Sequence, residues 1–158
     1  MADARCRCEY DRRMDIVALT SADPLWAQAT NYMDNCGWDG GPRLASMMRD
    51  GFADWERVFV AIEDGHIAGY CSLQKDDYIP NVPYTPYVRF VFVGEPYRGA
   101  RLSERLCLTA IAYAKSLGYD RVYLTSDHVG LYEKYGFIKL GDEPDEDGSP
   151  EGIFMHLT

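Results

Sequence analysis

The stretch Tyr87–Leu106, "YVRFVFVGEPYRGARLSERL", decides how the rest of the chain is read. Its first part, Tyr87–Val93, is a run of β-branched and aromatic residues and predicts a strand. A short basic turn follows, and then Leu102, Leu106, Ala110, Tyr113, Ala114 and Leu117 recur at helical spacing until Gly118 closes the helix. Strand, tight turn and helix together set a helix N-terminus in front of an anion. Its free N–H groups and dipole are worth about 1–2 kcal/mol in partly buried geometry, and neither needs a particular side chain. Helical backbone from residue 100 to 103 therefore presents the same N–H groups whatever residues stand there. Gly99 marks the bend, while the Arg101 guanidinium and the Ser103 hydroxyl are further donors within reach of a phosphate. Arginines in a first helical turn oppose the dipole, so this cluster itself points to an anion nearby.

Working outward, "MDIVALT" (Met14–Thr20) predicts a first strand. "SADPLWAQATNYMDNCG" (Ser21–Gly37) predicts a helix capped by Ser21 or Asp23, with Leu25, Ala29, Tyr32 and Met33 on one face. "PRLASMMRDGFADW" (Pro42–Trp55) predicts a second helix with Leu44, Met47 and Met48 inward. "RVFVAIED" and "HIAGYCSLQK" read as strands joined at Asp64-Gly65, a hairpin signal. After the long helix, "DRVYLTS" is a strand and "DHVGLYEKYG" (Asp127–Gly136) a short helix with Asp127 as N-cap. "FIKLGD" and "GIFMHL" end the chain as strands around the acidic loop "EPDEDGSPE" (Glu143–Glu151). This order predicts an α/β fold with a mixed-direction sheet and helices on both faces, one domain over residues 1–158 with residues 1–12 as a leading segment.

Composition narrows the function classes. The chain has 158 residues, 47% hydrophobic and 26% charged, which predicts a globular domain able to fold alone. Its net charge of −9 argues against nucleic acid as a partner and is compatible with a small cationic one. No apolar run approaches a membrane span, and "MADARCRCEYDRR" has no apolar core of the signal-peptide kind. Five scattered cysteines, an odd number, predict reduced thiols and a cytoplasmic setting. Cys6-x-Cys8 lacks the second pair a metal centre needs, so no metal is expected.

The element order and two local motifs resemble the GNAT N-acetyltransferase superfamily over nearly the whole chain. "EPYRGARLSERL" is similar to its acetyl-CoA signature: Arg or Gln, two variable residues, Gly, any residue, then Gly or Ala. "GLYEKYGF" (Gly130–Phe137) is similar to the Leu-Tyr-x-Lys-x-Gly-Phe stretch near the end of such domains. Arg101 and Ser103 replace the signature glycines, and "TSDH" (Thr125–His128) stands where an asparagine is often found. The resemblance implies a mixed, mostly antiparallel central sheet and acetyl-CoA as acyl donor.

It further implies that Arg98, Gly99, Ala100, Arg101, Leu102 and Ser103 hold the coenzyme A pyrophosphate through their backbone, with Phe92, Val93, Tyr132 and Tyr135 also lining the cofactor. The Val93 amide, and less directly that of Phe92, would face the thioester carbonyl in a split between two strands. Such a donor is worth about 3 kcal/mol when well aimed. Tyr132 matches the phenol that protonates the departing thiolate, a transfer nearly balanced in pKa. The amine must lose a proton before attack. Among Glu95, Asp77, Asp127, His128 and Glu63, Glu95 is the chosen base because it directly follows the oxyanion strand. In "DDYIPNVPYTPYVRF", Asp77, Tyr84 and Tyr87 offer a carboxylate and aromatic faces to a cationic amine. Cys107, beside Leu106 on the long helix, is core filler and no nucleophile.

The expected activity is acetyl transfer to a primary amine of a small molecule by direct attack on the thioester. The competing expectations are acyl transfer to protein lysines or N-termini, and a coenzyme A sensor without catalysis. Dimers are frequent in the superfamily, and no sequence feature compels one.

Overall fold

The computed structural model describes residues 14–158; the expectations for residues 1–12, including Cys6 and Cys8, lie outside the described residues. Three antiparallel strands lead the sheet: β1 (Met14–Leu19), β2 (Arg57–Glu63) and β3 (His66–Gln74). Asp64 and Gly65 both take positive φ (49° and 80°), the backbone that lets a two-residue turn follow strand twist. β4 (Tyr87–Val93) pairs antiparallel with β3 and meets β5 (Arg121–Ser126) in parallel. β6 (Ile138–Pro144) and β7 (Pro150–Leu157) complete a seven-stranded sheet in the order β1-β2-β3-β4-β5-β7-β6. One parallel contact in an otherwise antiparallel sheet matches the expected mixed fold.

Helices cover both faces. α1 (Trp26–Asn35) and α2 (Gly40–Asp50) pack Ala29, Met33, Leu44, Ala45 and Met48 against Val58, Val60 and Tyr70 on one face. α3 (Leu102–Ser116) buries Leu102, Leu106, Cys107, Ala110, Ile111 and Ala114 on the other. Each fully buried leucine there contributes about 1.5–3 kcal/mol. Neither Ser21 nor Asp23 caps α1. Asp23 instead accepts the Thr20 N–H at 3.0 Å and closes a turn, so the helix starts later, at Trp26. α2 begins at Gly40, ahead of Pro42, and stops at Asp50 because Gly51 adopts φ 114°.

β4 is not the regular strand its sequence predicts. Between the pairs Tyr70↔Phe92 and Ser72↔Arg89 it carries one more residue than β3, and Phe90 sits at φ 53°. A bulge of this kind shifts the alternation of side chains. Val88, Val91 and Val93 pack on the α3 side, while Phe90 and Phe92 reach the α1/α2 side. Close packing holds β3 against this segment: a Cβ on Gly69 would lie 2.6 Å from the Phe92 carbonyl oxygen. Gly69→Ala should therefore cost about 1–3 kcal/mol in urea unfolding, the scale of overpacking a filled interior. An unchanged midpoint would show that β4 yields freely.

Candidate active site

β4 and β5 touch at one pair only, Tyr87↔Tyr123, next to the bond from Tyr123 N–H to the Pro86 carbonyl at 2.9 Å. Beyond that pair the strands part. The buried Asp77 carboxylate bridges them there: Arg89 of β4 pairs with it at 3.2 Å, and Thr125 of β5 donates its hydroxyl at 2.9 Å. The Tyr78 N–H is a third partner at 2.7 Å. Burial lowers the Arg89 pKa, with a smaller push from Arg43, and the Asp77 charge opposes that shift.

The Gly94 N–H donates to Ala68 O on β3 at 2.8 Å. Peptide groups alternate sides along a strand, so the Val93 N–H points the other way, into the opening toward β5. Arg98 folds back there, its Nε donating to the Val93 carbonyl at 3.0 Å. The Phe92 amide faces β3, and its ring stacks between Tyr70 and Trp38 at 5.2 and 5.6 Å.

Two cavities flank the opening. The first, ≈ 370 Å³, is lined by Val93, Tyr97, Arg98, Gly99, Arg101, Leu102, Ser103, Leu131, Lys134 and Tyr135 at the start of α3. Gly99 makes the expected bend at φ 89°. Arg101 departs from the helical backbone expected of it, adopting φ 59° in the left-handed region before α3 begins at Leu102. That is the position where a glycine would be unstrained. Nor does its guanidinium stand free, because it pairs with Glu104. The Ser103 hydroxyl is likewise engaged, 2.6 Å from the Tyr135 hydroxyl. Backbone N–H groups, Lys134 and the start of a long helix leave this cavity suited to a phosphate-bearing ligand.

The second cavity, ≈ 330 Å³, lies past Val91 and holds Trp38, Asp39, Arg43, Asp77, Tyr78, Arg89, Asp127, His128, Tyr132 and Glu151. The 3-10 turn Tyr132–Tyr135 joins the two spaces, giving Tyr132 to this one and Tyr135 to the other. Burial pushes the Tyr132 phenol above its ordinary pKa, with a smaller contribution from Cys107, so it keeps its proton at neutral pH. Burial also raises the Glu151 carboxyl, aided by repulsion from Asp127 and Asp145.

Several expected site residues stand elsewhere. Glu95 is exposed in the 3-10 turn Glu95–Tyr97, and Ala100 is exposed on the loop; neither lines either of these two cavities. Tyr84 stacks on Tyr123 at 4.5 Å, and Tyr87 is buried beside them with a hydroxyl that has no partner, so both belong to a small aromatic core. Asp127 caps no helix: Gly130 at φ 81° holds a loop, and the turn starts only at Tyr132. Asp127 and His128 line the second cavity instead. Cys107 is fully buried, and burial pushes its thiol up to about 12. No group of three or more metal-ligating side chains occurs among the described residues. No described helix is long and apolar enough to cross a membrane.

The profile described as "Acetyltransferase (GNAT) family" matches residues 25–137. The chain belongs to that family. Solved structures share the GNAT fold. An aminoglycoside 6'-acetyltransferase type Ii is 18% identical with a TM-score of 0.69, covering 90% of this chain and 96% of that one. A GNAT family acetyltransferase from Elizabethkingia anophelis with acetyl-CoA bound is 15% identical with a TM-score of 0.66, covering 92% and 99%. A GNAT family acetyltransferase from Streptococcus pneumoniae is 20% identical with a TM-score of 0.67, covering 92% and 99%. No curated protein sequence matches the chain.

Within this GNAT fold, the sequence reading missed Trp38, Arg43, Arg89, Lys134 and Glu151. Arg89 was detectable as the one charge inside an apolar strand, and Lys134 as part of "LYEKYGF". Removing one member of a buried ion pair strands the other, typically at about 3–5 kcal/mol. Asp77→Ala should show that loss in urea unfolding; a loss well under about 1 kcal/mol, the scale of an exposed pair, would contradict the bridging role.

Proposed function

We propose that the protein is an acetyl-CoA-dependent N-acetyltransferase that acts on a primary amine of a small molecule by direct attack on the thioester. The observation that carries this reading is the strand alternation that turns the Val93 N–H away from β3, beside a cavity suited to phosphates, with a second cavity lined with carboxylates past Val91. Acetyl-CoA supplies the activated acyl group. The Arg98 N–H donates to the Glu95 carbonyl at 3.3 Å, so the N–H groups from Gly99 to Ser103, with Lys134, hold the phosphate-bearing end. The Val93 N–H donates to the oxygen on which negative charge grows, an interaction worth about 3 kcal/mol when aligned.

The amine enters from the second cavity as an ammonium ion. Glu151 and Asp127 attract it, and Glu151, its carboxyl already raised in pKa, takes the proton that must leave before attack. Tyr132, protonated and set between the cavities, donates a proton to the departing thiolate. Cys107 takes no part, which favours one-step transfer without an acyl-enzyme. Fold neighbours named for aminoglycoside acetylation support a small-molecule amine over a protein substrate.

Acetyl-CoA at about 100 times its dissociation constant should stabilise the protein by about 2.7 kcal/mol, seen as a salt-sensitive rise in Tm. Tyr132→Phe should leave that rise in place while lowering thiol release by about 10²–10⁴-fold. No rise at any salt would remove the acetyl-CoA reading, and full turnover in Tyr132→Phe would remove Tyr132 from the mechanism.

A further inference from the structure

The charges around the second cavity fall into two groups. Arg43 of α2 and Arg89 of β4 form one wall. Arg89 is buried with Asp77 at 3.2 Å, so that pair is neutral. Arg43 forms no ion pair with any described carboxylate, including Asp39 just before α2. Its guanidinium lies 5.6 Å from the centre of the Tyr78 ring. The other wall carries Asp127 and Glu151, which likewise have no described cationic partner. His128 stands on this side too, its ring 6.2 Å from that of Tyr132.

Like charges therefore neighbour each other at both ends, although Asp39, which has no described cationic partner, also lines the cavity beside Arg43. After burial, Arg43 is a further cause lowering the Arg89 pKa, and Asp127 is the next cause after burial raising Glu151. Tyr78 connects the two ends, with Arg43 over its ring and its hydroxyl acting on Glu151. Arg43 and Glu151 thus both neighbour the Tyr78 side chain, the cation at its ring and the carboxylate at its hydroxyl. A plain alkylamine would satisfy the carboxylates and leave Arg43 unanswered. A polycation would meet Arg43 as a like charge, which acts against it.

We propose that the acceptor carries a carboxylate in addition to the amine that is acetylated, and that Arg43 binds this carboxylate while Asp127 and Glu151 receive the ammonium. A short-chain amino acid has the right charges and fits a space of ≈ 330 Å³. The inference rests on the acetyl-transfer reading and names the substrate class of the same site. A planar guanidinium on a carboxylate forms charge-assisted hydrogen bonds, and Arg43 is a specificity residue that touches the acceptor.

The test measures coenzyme A release with matched primary amines: 4-aminobutyrate against n-propylamine, β-alanine against ethylamine, and spermidine as the polycation. The carboxylate-bearing member of each pair should show a kcat/KM at least about tenfold higher, the scale of one charge-assisted hydrogen bond. O-phosphoethanolamine against ethanolamine adds a phosphate arm; a preference confined to that pair would overturn the carboxylate assignment. Arg43→Gln should erase the ratio within each pair, and Arg43→Lys, which keeps the charge without the fork, should restore part of it. Equal use of both members, preference for spermidine, or an undiminished ratio in Arg43→Gln would overturn the proposal while leaving acetyl transfer intact. No release with any amine despite acetyl-CoA binding would overturn the transfer reading and this one with it.

Discussion

A single buried carboxylate governs how this sheet opens. Where β4 and β5 would continue their parallel ladder, Asp77 enters from the preceding loop and takes Arg89 on one strand and Thr125 on the other. One charge-assisted pair and one hydroxyl bond thereby replace backbone ladder bonds. The strands stay tied at the Tyr87↔Tyr123 end and diverge beyond it. Divergence turns the Val93 N–H, on the edge of β4 away from β3, toward a partly desolvated space, where a donor is most effective toward a developing charge. The opening and its donor are consequences of the same substitution of side-chain for backbone bonding.

The bulge in β4 completes the arrangement. Phe90 at φ 53° spends an unfavourable backbone conformation to move the aromatic rings of Phe90 and Phe92 onto the α1/α2 face. Trp38 then packs against both, at 6.4 and 5.6 Å, and forms part of the second cavity. The valines at Val91 and Val93 stay toward α3, so the wall of the opening is apolar on one side and charged on the other. That asymmetry separates a region suited to a thioester from one suited to an ammonium ion.

The fold was largely legible because its elements announce themselves locally: Asp64-Gly65, the glycine ends of α1 and α3, and the apolar runs of β2 to β4. The placement of Gly99, Arg101, Leu102 and Ser103 around one cavity was legible for the same reason, since they lie on one continuous segment. Much of what failed depends on contacts distant in sequence. Tyr84 and Tyr87 read as aromatic faces for a ligand, yet they stack with Tyr123, which is remote in the chain. Glu95 adjoins Val93 in sequence, but a 3-10 turn carries it out to solvent. Arg43 and Glu151 reach one cavity from opposite ends of the chain, and no local pattern marks such a meeting. Arg101 illustrates a subtler limit: its spacing was compatible with helix, but the turn demands positive φ that only the folded backbone reveals.

The central claim is that the Val93 N–H is the free donor of the opened strand, and amide NMR of the 15N-labelled protein titrated with acetyl-CoA tests it most directly. The Val93 amide should move strongly and become slower to exchange on saturation. The Gly94 amide, already bound to Ala68, should change little. A Val93 amide that stays unmoved while the cradle amides from Gly99 to Ser103 shift would contradict the account, because the ligand would then be held at its phosphates without its acyl group reaching β4.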